Sequence, residues 1–311
     1  MKVGIIGAGL AGLSCAARLA AAGHAVALFD KGRAPGGRLS TRRAETPLGQ
    51  ARFDHGAQYF TARDPEFVRQ VEAWARDGLA APWPAAGEEA WVGTPGMNAP
   101  ARALASGLAV HRSARIAGLH RAAAGWQFRG DGVDAGPFDA AVVALPAEQA
   151  GPLVQSWSAD FAAAAAATPA APCWTVMALF PARLPIPEDV VTRQGPIGWA
   201  ARDSAKPGRG GPESWVVQAS PEWSRQHLEE TPQAVAPALL AALATVAGPT
   251  AVPAAWSAAH RWRYARSGTL GRDALWDASL GLGLCGDWLL GPRVECAWLS
   301  GHRLAGTMLA G

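Results

Sequence analysis

Residues 2–30 read KVGIIGAGLAGLSCAARLAAAGHAVALFD, and the fold turns on how this stretch is parsed. KVGII (2–6) is an apolar run suited to a strand buried on both faces, Leu10 to Ala22 is an Ala-rich helical stretch, and AVALF (25–29) is a second buried strand. GAGLAG at 7–12 joins strand to helix, the context in which a glycine fingerprint has physical meaning. Gly7 permits the tight turn, Gly9 lets backbone approach a pyrophosphate, Leu10 and Ala11 open the helix, and Gly12 lets that helix lie close on the strand. The helix N-terminus offers unpaired amides and the positive end of its dipole to an anion. Asp30 ends the second strand, where its carboxylate can bond ribose hydroxyls, with Lys31 beside it. These features define a dinucleotide site without choosing between FAD and a nicotinamide.

Two further segments narrow the choice. GGRLSTR (36–42) brings the chain near phosphate at Gly37, and Arg38, followed by Leu39, can neutralise a pyrophosphate; Arg42 is a second candidate for that charge. LCGDW (284–288) places Gly286 and Asp287 after a buried strand, where a carboxylate can bond ribitol hydroxyls. VECAWLSG (294–301) follows, with Glu295 and Cys296 at the start of a helix whose amides would face the pyrimidine edge of a flavin.

The remaining chain supports an α/β fold in which a Rossmann-like FAD-binding domain with a central parallel sheet carries a mixed-sheet substrate domain. We expect the first to comprise 1–62, 96–150 and 280–311, and the second 63–95 and 151–279. The apolar face Phe67, Val71 and Trp74 predicts a helix within 64–77, and Asn98 predicts the cap of another. Between 231 and 248, Thr231, Pro232, the stripe Val235, Leu239, Leu243 and Val246, and Gly248 spell a capped soluble helix rather than a membrane span.

Half of the residues are apolar and 17% are charged, which excludes a disordered chain. Lysine occurs only at 2, 31 and 206, so arginine supplies most of the positive charge, yet no dense basic run suggests nucleic acid. Cysteines 15, 173, 285 and 296 form no CxxC pair or Cys/His cluster, so neither a metal site nor a disulfide scaffold is expected and a reducing cytoplasm fits. Arg18 interrupts the apolar N-terminal run, which argues against a signal peptide.

The glycine turn, Asp287 and the helix after it resemble the FAD-binding pattern of the glutathione-reductase-like flavoproteins, which include the flavin amine oxidases. FDHGAQYFTARDPEF (53–67), WVGTPGMNA (91–99), ARDSAKPGR (201–209), SWVVQASPEWSRQHL (214–228) and HRWRYA (260–265) resemble the bacterial renalase-type enzymes. That resemblance implies a noncovalent FAD and oxidation of the 1,2- and 1,6-dihydro isomers of NAD(P) to NAD(P)+, with O2 reduced to H2O2. It implies that His55, Gly56, Ala57, Gln58 and Tyr59 wall the flavin, with Gly96 and Met97 adding to the wall. It points to Trp199, Arg202, Lys206, Arg263 and Trp288 for a small-molecule dinucleotide substrate, and the flavin itself does the chemistry. An amine oxidase is the alternative among enzymes, and a non-catalytic FAD-binding protein the alternative outside them.

Overall fold

The first strand, Lys2–Ile6, is hydrogen-bonded in parallel on both sides, to Ala25–Asp30 and to Ala140–Val143, which explains why it is apolar throughout. The structure, a computed structural model, describes residues 1–310. The main sheet runs in the order 275–277, 282–284, 140–143, 2–6, 25–30, 109–112, and only its edge strand Leu275–Asp277 is antiparallel. The first helix, Leu10–Ala21, and the last, Val294–Ala310, pack together on one face of this sheet. On the other face lies a three-stranded meander of Ile116–Ala122, Gly125–Gly130 and Val133–Phe138, whose Trp126, Phe128 and Phe138 share a core with Ile6, Phe29 and Val143.

The second layer is a five-stranded sheet ordered 190–194, 197–202, 213–219, 171–180, 256–266. Every pairing in it is antiparallel, so the mixed sheet expected for this domain is corrected: the antiparallel partner that makes a sheet mixed belongs to the main one. Two boundaries also move. Leu275–Asp277, expected on the substrate side, is the edge of the main sheet. Ala147, Ala150, Val154 and Ala165 pack with Ile6 and Phe29, so the helices Ala147–Val154 and Ala159–Ala166 belong to the first body.

Local signals explain the helices that hold the second sheet. Thr231 accepts a hydrogen bond from the Ala234 amide, Pro232 starts the helix Pro232–Ala247, and Gly248 ends it with φ of 81°. Its Val235, Leu239 and Leu243 bury against Trp174, Val176, Trp215 and Val217 on the outer sheet face. The inner face is left to meet the nucleotide-binding body through the hairpin Thr41–Thr46 and Gly49–Asp54. Phe53 stacks on Trp256, with ring centroids 5.3 Å apart, and packs beside Met177 and Val216. No helix among the described residues is long and apolar enough to cross a membrane.

Candidate functional site

The glycines of the first turn divide by what a Cβ would meet. On Gly7 it would sit 2.4 Å from the Ala144 carbonyl oxygen, and on Gly12 only 2.0 Å from that of Gly7, so both are held by packing of turn, helix and strand. On Gly9 it would meet nothing within 4 Å. Gly9 is the helix N-cap yet offers no side chain to the first-turn amides, so the donors of Leu10, Ala11 and Gly12 remain for an anion. Gly37 closes the other side, since its Cβ would lie 3.4 Å from the Gly9 Cα, and the Gly36 amide donates to the Ala8 carbonyl at 2.8 Å.

Asp30 stands at the rim. Its Oδ2 accepts from the Ala8 amide and its Oδ1 from the Gly32 amide, both at 2.6 Å. Each oxygen keeps a lone pair for a ribose hydroxyl. Lys31 is exposed, with only a 3.4 Å contact to Gln149.

Arg38 connects the two ends of the chain. Its Nη2 donates to Asp287 Oδ1 at 2.7 Å, and its Nη1 reaches the carbonyls of Tyr264 and Ala265. Arg38 is about a third exposed and Asp287 is nearly buried. Asp287 opens the short helix Asp287–Leu290, held in place as the Gly286 amide donates to Ser300 Oγ. Ser267 Oγ, just past the carbonyls that Arg38 bonds, is buried and has no partner among the described residues.

These observations fit an FAD. Open space over Gly9 with uncapped helix amides suits the pyrophosphate, Asp30 with spare lone pairs the adenosine ribose, and the Arg38–Asp287 pair the ribitol side. Cys296, 2% exposed with its thiol pushed up by burial, is a packed group rather than an attachment point. The thiols of Cys15, Cys173 and Cys285 are buried and raised as well.

HGAQY lies between the two bodies. Trp199, Gln218, Thr175 and His260 are register partners across four strands and so share the inner face of the second sheet. Tyr59 packs on Trp199 at 5.1 Å, Gln218 donates to the Gly56 carbonyl at 2.7 Å, and Trp262 donates to the His55 carbonyl at 2.9 Å. A Cβ on Gly56 would lie 2.0 Å from the Arg38 carbonyl oxygen, which also accepts from the Ala57 amide. The segment is therefore threaded between Arg38 and the sheet. Trp199 Nε1 is buried without a partner among the described residues.

The His55 ring stacks on Trp262 at 5.2 Å and meets His260 edge-on at 5.0 Å. Burial first, then the neighbouring His260 and Arg42, lower His55 to about 4, and burial with Arg42 lowers His260. Both imidazoles are neutral near pH 7. A histidine whose folded value lies below its unfolded 6.5 contributes stability above 6.5 and loses it as pH falls towards 4. The unfolding free energy from urea titrations should therefore fall between pH 6.5 and 4, by up to about 3 kcal/mol for His55 alone, and His55→Gln should flatten that part of the profile.

Several predicted site residues are placed elsewhere. Arg202 is 1% exposed and spends its guanidinium on Glu213, Asp189 and the Ile186 carbonyl. Lys206 is equally enclosed, 2.7 Å from Asp203, 3.5 Å from Asp54 and 3.1 Å from Gln58 Oε1. Arg263 is on the outer face, paired with exposed Glu229. Trp288 is wholly buried in the core beneath the main sheet and donates to the Leu145 carbonyl. Glu295 accepts from the Arg63 and Asp64 amides at 2.6 and 2.7 Å and so fixes the chain entering the helix Pro65–Arg76, which Asp64 itself caps by accepting from the Glu66 amide. Met97 is core, its amide on Asp54 and its sulfur accepting from the Gly93 amide, and Gly96 lies against Thr41 behind the hairpin.

A model of NAD(P)-binding Rossmann-like domains matches residues 5–73, and one of flavin containing amine oxidoreductases matches residues 85–309. The chain belongs to the flavin-containing amine oxidoreductases. As a member of this family it is an FAD-dependent oxidoreductase. Solved structures with the same fold include cyclohexylamine oxidase from Brevibacterium oxydans IH-35A, 14% identical with a TM-score of 0.75 over 99% of this chain and 98% of that one. A candidate protoporphyrinogen oxidase from Exiguobacterium sp. 255-15 is 13% identical with a TM-score of 0.77 over 100% and 99%. Putrescine oxidase, in a variant redesigned for cofactor binding, is 12% identical with a TM-score of 0.65 over 100% and 99%. Among curated proteins, a 4,4'-diapophytoene desaturase from Staphylococcus haemolyticus is 52% identical over 40 residues, which are 13% of this chain and 8% of that protein. The amine oxidoreductase fold thus extends over the whole chain, while the close sequence match is local.

Proposed function

We propose that this flavoenzyme is of the renalase type and oxidises 1,2- and 1,6-dihydro isomers of NAD(P) to NAD(P)+. The observation that carries the reading is the character of the inner sheet face over HGAQY: Trp199, Gln218, Thr175, His260 and Trp262 are aromatic or neutral polar groups. The acids behind this segment, Asp54 and Asp203, are occupied by Arg209 and Lys206. A cationic amine would call for a free carboxylate, whereas a flat uncharged ring needs surfaces on which to stack.

Arg38, Asp287 and HGAQY would hold the FAD, which would supply a two-electron acceptor for hydride that O2 and a proton could reoxidise with release of H2O2. The protein contributes orientation. Gln218 and Gln58 both donate to the Gly56 carbonyl, fixing the peptide plane next to Ala57. His55, neutral and stacked, excludes water without taking a proton. A dihydropyridine loses hydride to become aromatic, so no base is required.

An aromatic pair such as Tyr59 and Trp199 also suits an amine substrate, and cyclohexylamine oxidase shares the fold. Product analysis separates the two readings. Aerobic incubation with borohydride-derived NAD(P)H isomers should yield NAD(P)+ and H2O2 in equal amounts. Aldehyde and H2O2 from primary amines or polyamines, with the isomers unchanged, would overturn the proposal.

A further inference from the structure

Two arginines bordering the inner sheet face have no ion-pair or side-chain hydrogen-bond partner among the described residues, and neither is a residue that the family resemblance assigns to substrate. Arg266 is the register partner of Ala171, as Trp262 is of Cys173 and His260 of Thr175, so across a bulge it lies on the same face as the His260–Trp262 pair. Arg42 is the register partner of Phe53, the hairpin residue that stacks on Trp256 of the same strand. It is close enough to lower both His55 and His260, as Arg266 is to act on Cys173. Both side chains are exposed.

Arg43 and Arg52 of the same hairpin are also exposed and without a partner among the described residues. They are register partners one position from Arg42 and Phe53 and so lie on the hairpin's other face. The remaining cations of this region are held. Arg202, Lys206 and Arg209 are held by buried acids, Arg38 by Asp287, and Arg261 and Arg263 by Glu229 on the opposite face. An unpaired guanidinium is free to bind phosphate bidentately. We infer that Arg42 and Arg266 flank the His55–His260–Trp262 cluster as anchors for the phosphate groups of a dinucleotide that stacks there. The inference rests on the proposed reading of the substrate as a dinucleotide and adds the residues that select it.

The probe is NAD+, titrated into the FAD-loaded protein while flavin absorbance is followed, with phosphate-free 1-methylnicotinamide as comparison. In the double variant Arg42→Gln/Arg266→Gln the Kd for NAD+ should rise at least tenfold and lose most of its salt dependence. KM for the 1,6-dihydro isomer of NADH should rise in parallel, with kcat changed far less. Arg42→Lys/Arg266→Lys should recover most of the affinity. Wild-type Kd in the glutamine variant, an equal loss for 1-methylnicotinamide, or no binding of NAD+ by the unaltered protein would overturn the inference. Should NAD+ bind in an arginine-dependent way while no dihydro isomer reduces the flavin, the inference stands and the proposed reaction falls.

Discussion

Asp54→Ala should cost about 3–5 kcal/mol, the scale for breaking a buried ion pair by removing one partner, and lower the melting temperature of the FAD-loaded protein by on the order of 10 °C. Asp54 is fully buried and accepts from Thr41 Oγ1 at 2.7 Å, from the Met97 amide at 2.9 Å and from Arg209, with Lys206 at 3.5 Å. Burial alone would raise its carboxyl, but Lys206 and Arg209 outweigh burial and hold it below the ordinary carboxylate value. Two cations would then share Asp203, whose own carboxyl is raised by burial. The damage should reach the flavin wall, because Lys206 holds Gln58 and Gln58 holds the Asp54 and Gly56 carbonyls. Denaturant unfolding of both proteins measures it, and a loss below about 1 kcal/mol would show that this cluster contributes little to the fold.

Gly9→Ala and Gly12→Ala should fail in different ways although they lie three residues apart in one turn. The methyl group on Gly12 would collide with the Gly7 carbonyl oxygen at 2.0 Å, so the turn must open and stability falls with cofactor binding. The methyl group on Gly9 enters open space. It costs the fold little, yet occupies the approach to the uncapped amides, so FAD affinity should drop at least tenfold. The ratio of FAD to protein after desalting, read beside the melting temperature of the flavin-free protein, separates the two. Full flavin occupancy in Gly9→Ala would place the pyrophosphate elsewhere.

Much of this site is legible along the chain because its signals are local. Gly7, Gly9, Gly12 and Asp30 sit within one strand–turn–helix–strand unit, and Thr231, Pro232 and Gly248 mark both ends of a helix. What a charged side chain does is not local. Lys206 and Arg209 look like free cations in ARDSAKPGR, yet their shared partner Asp54 lies about 150 residues earlier and only folding brings it there. Glu295 fixes the approach to a helix more than 200 residues away by sequence, through the Arg63 and Asp64 amides. Trp288 follows Asp287 by one residue, but the strand end turns its ring into the core while the carboxylate faces Arg38. Arg42 reads along the chain as a cation for a pyrophosphate, and only folding sets it beside His55 and His260 and puts Arg266 on the same sheet face.

Whether a dihydronicotinamide dinucleotide gives hydride to the flavin can be seen by anaerobic mixing with purified 1,2- and 1,6-dihydro isomers of NAD(P), watched at the flavin absorbance near 450 nm. Complete bleaching within a single turnover by at least one isomer is expected, with release of stoichiometric NAD(P)+ and no bleaching by primary amines or polyamines. A flavin that stays oxidised with every isomer, or that bleaches with amines instead, would contradict it.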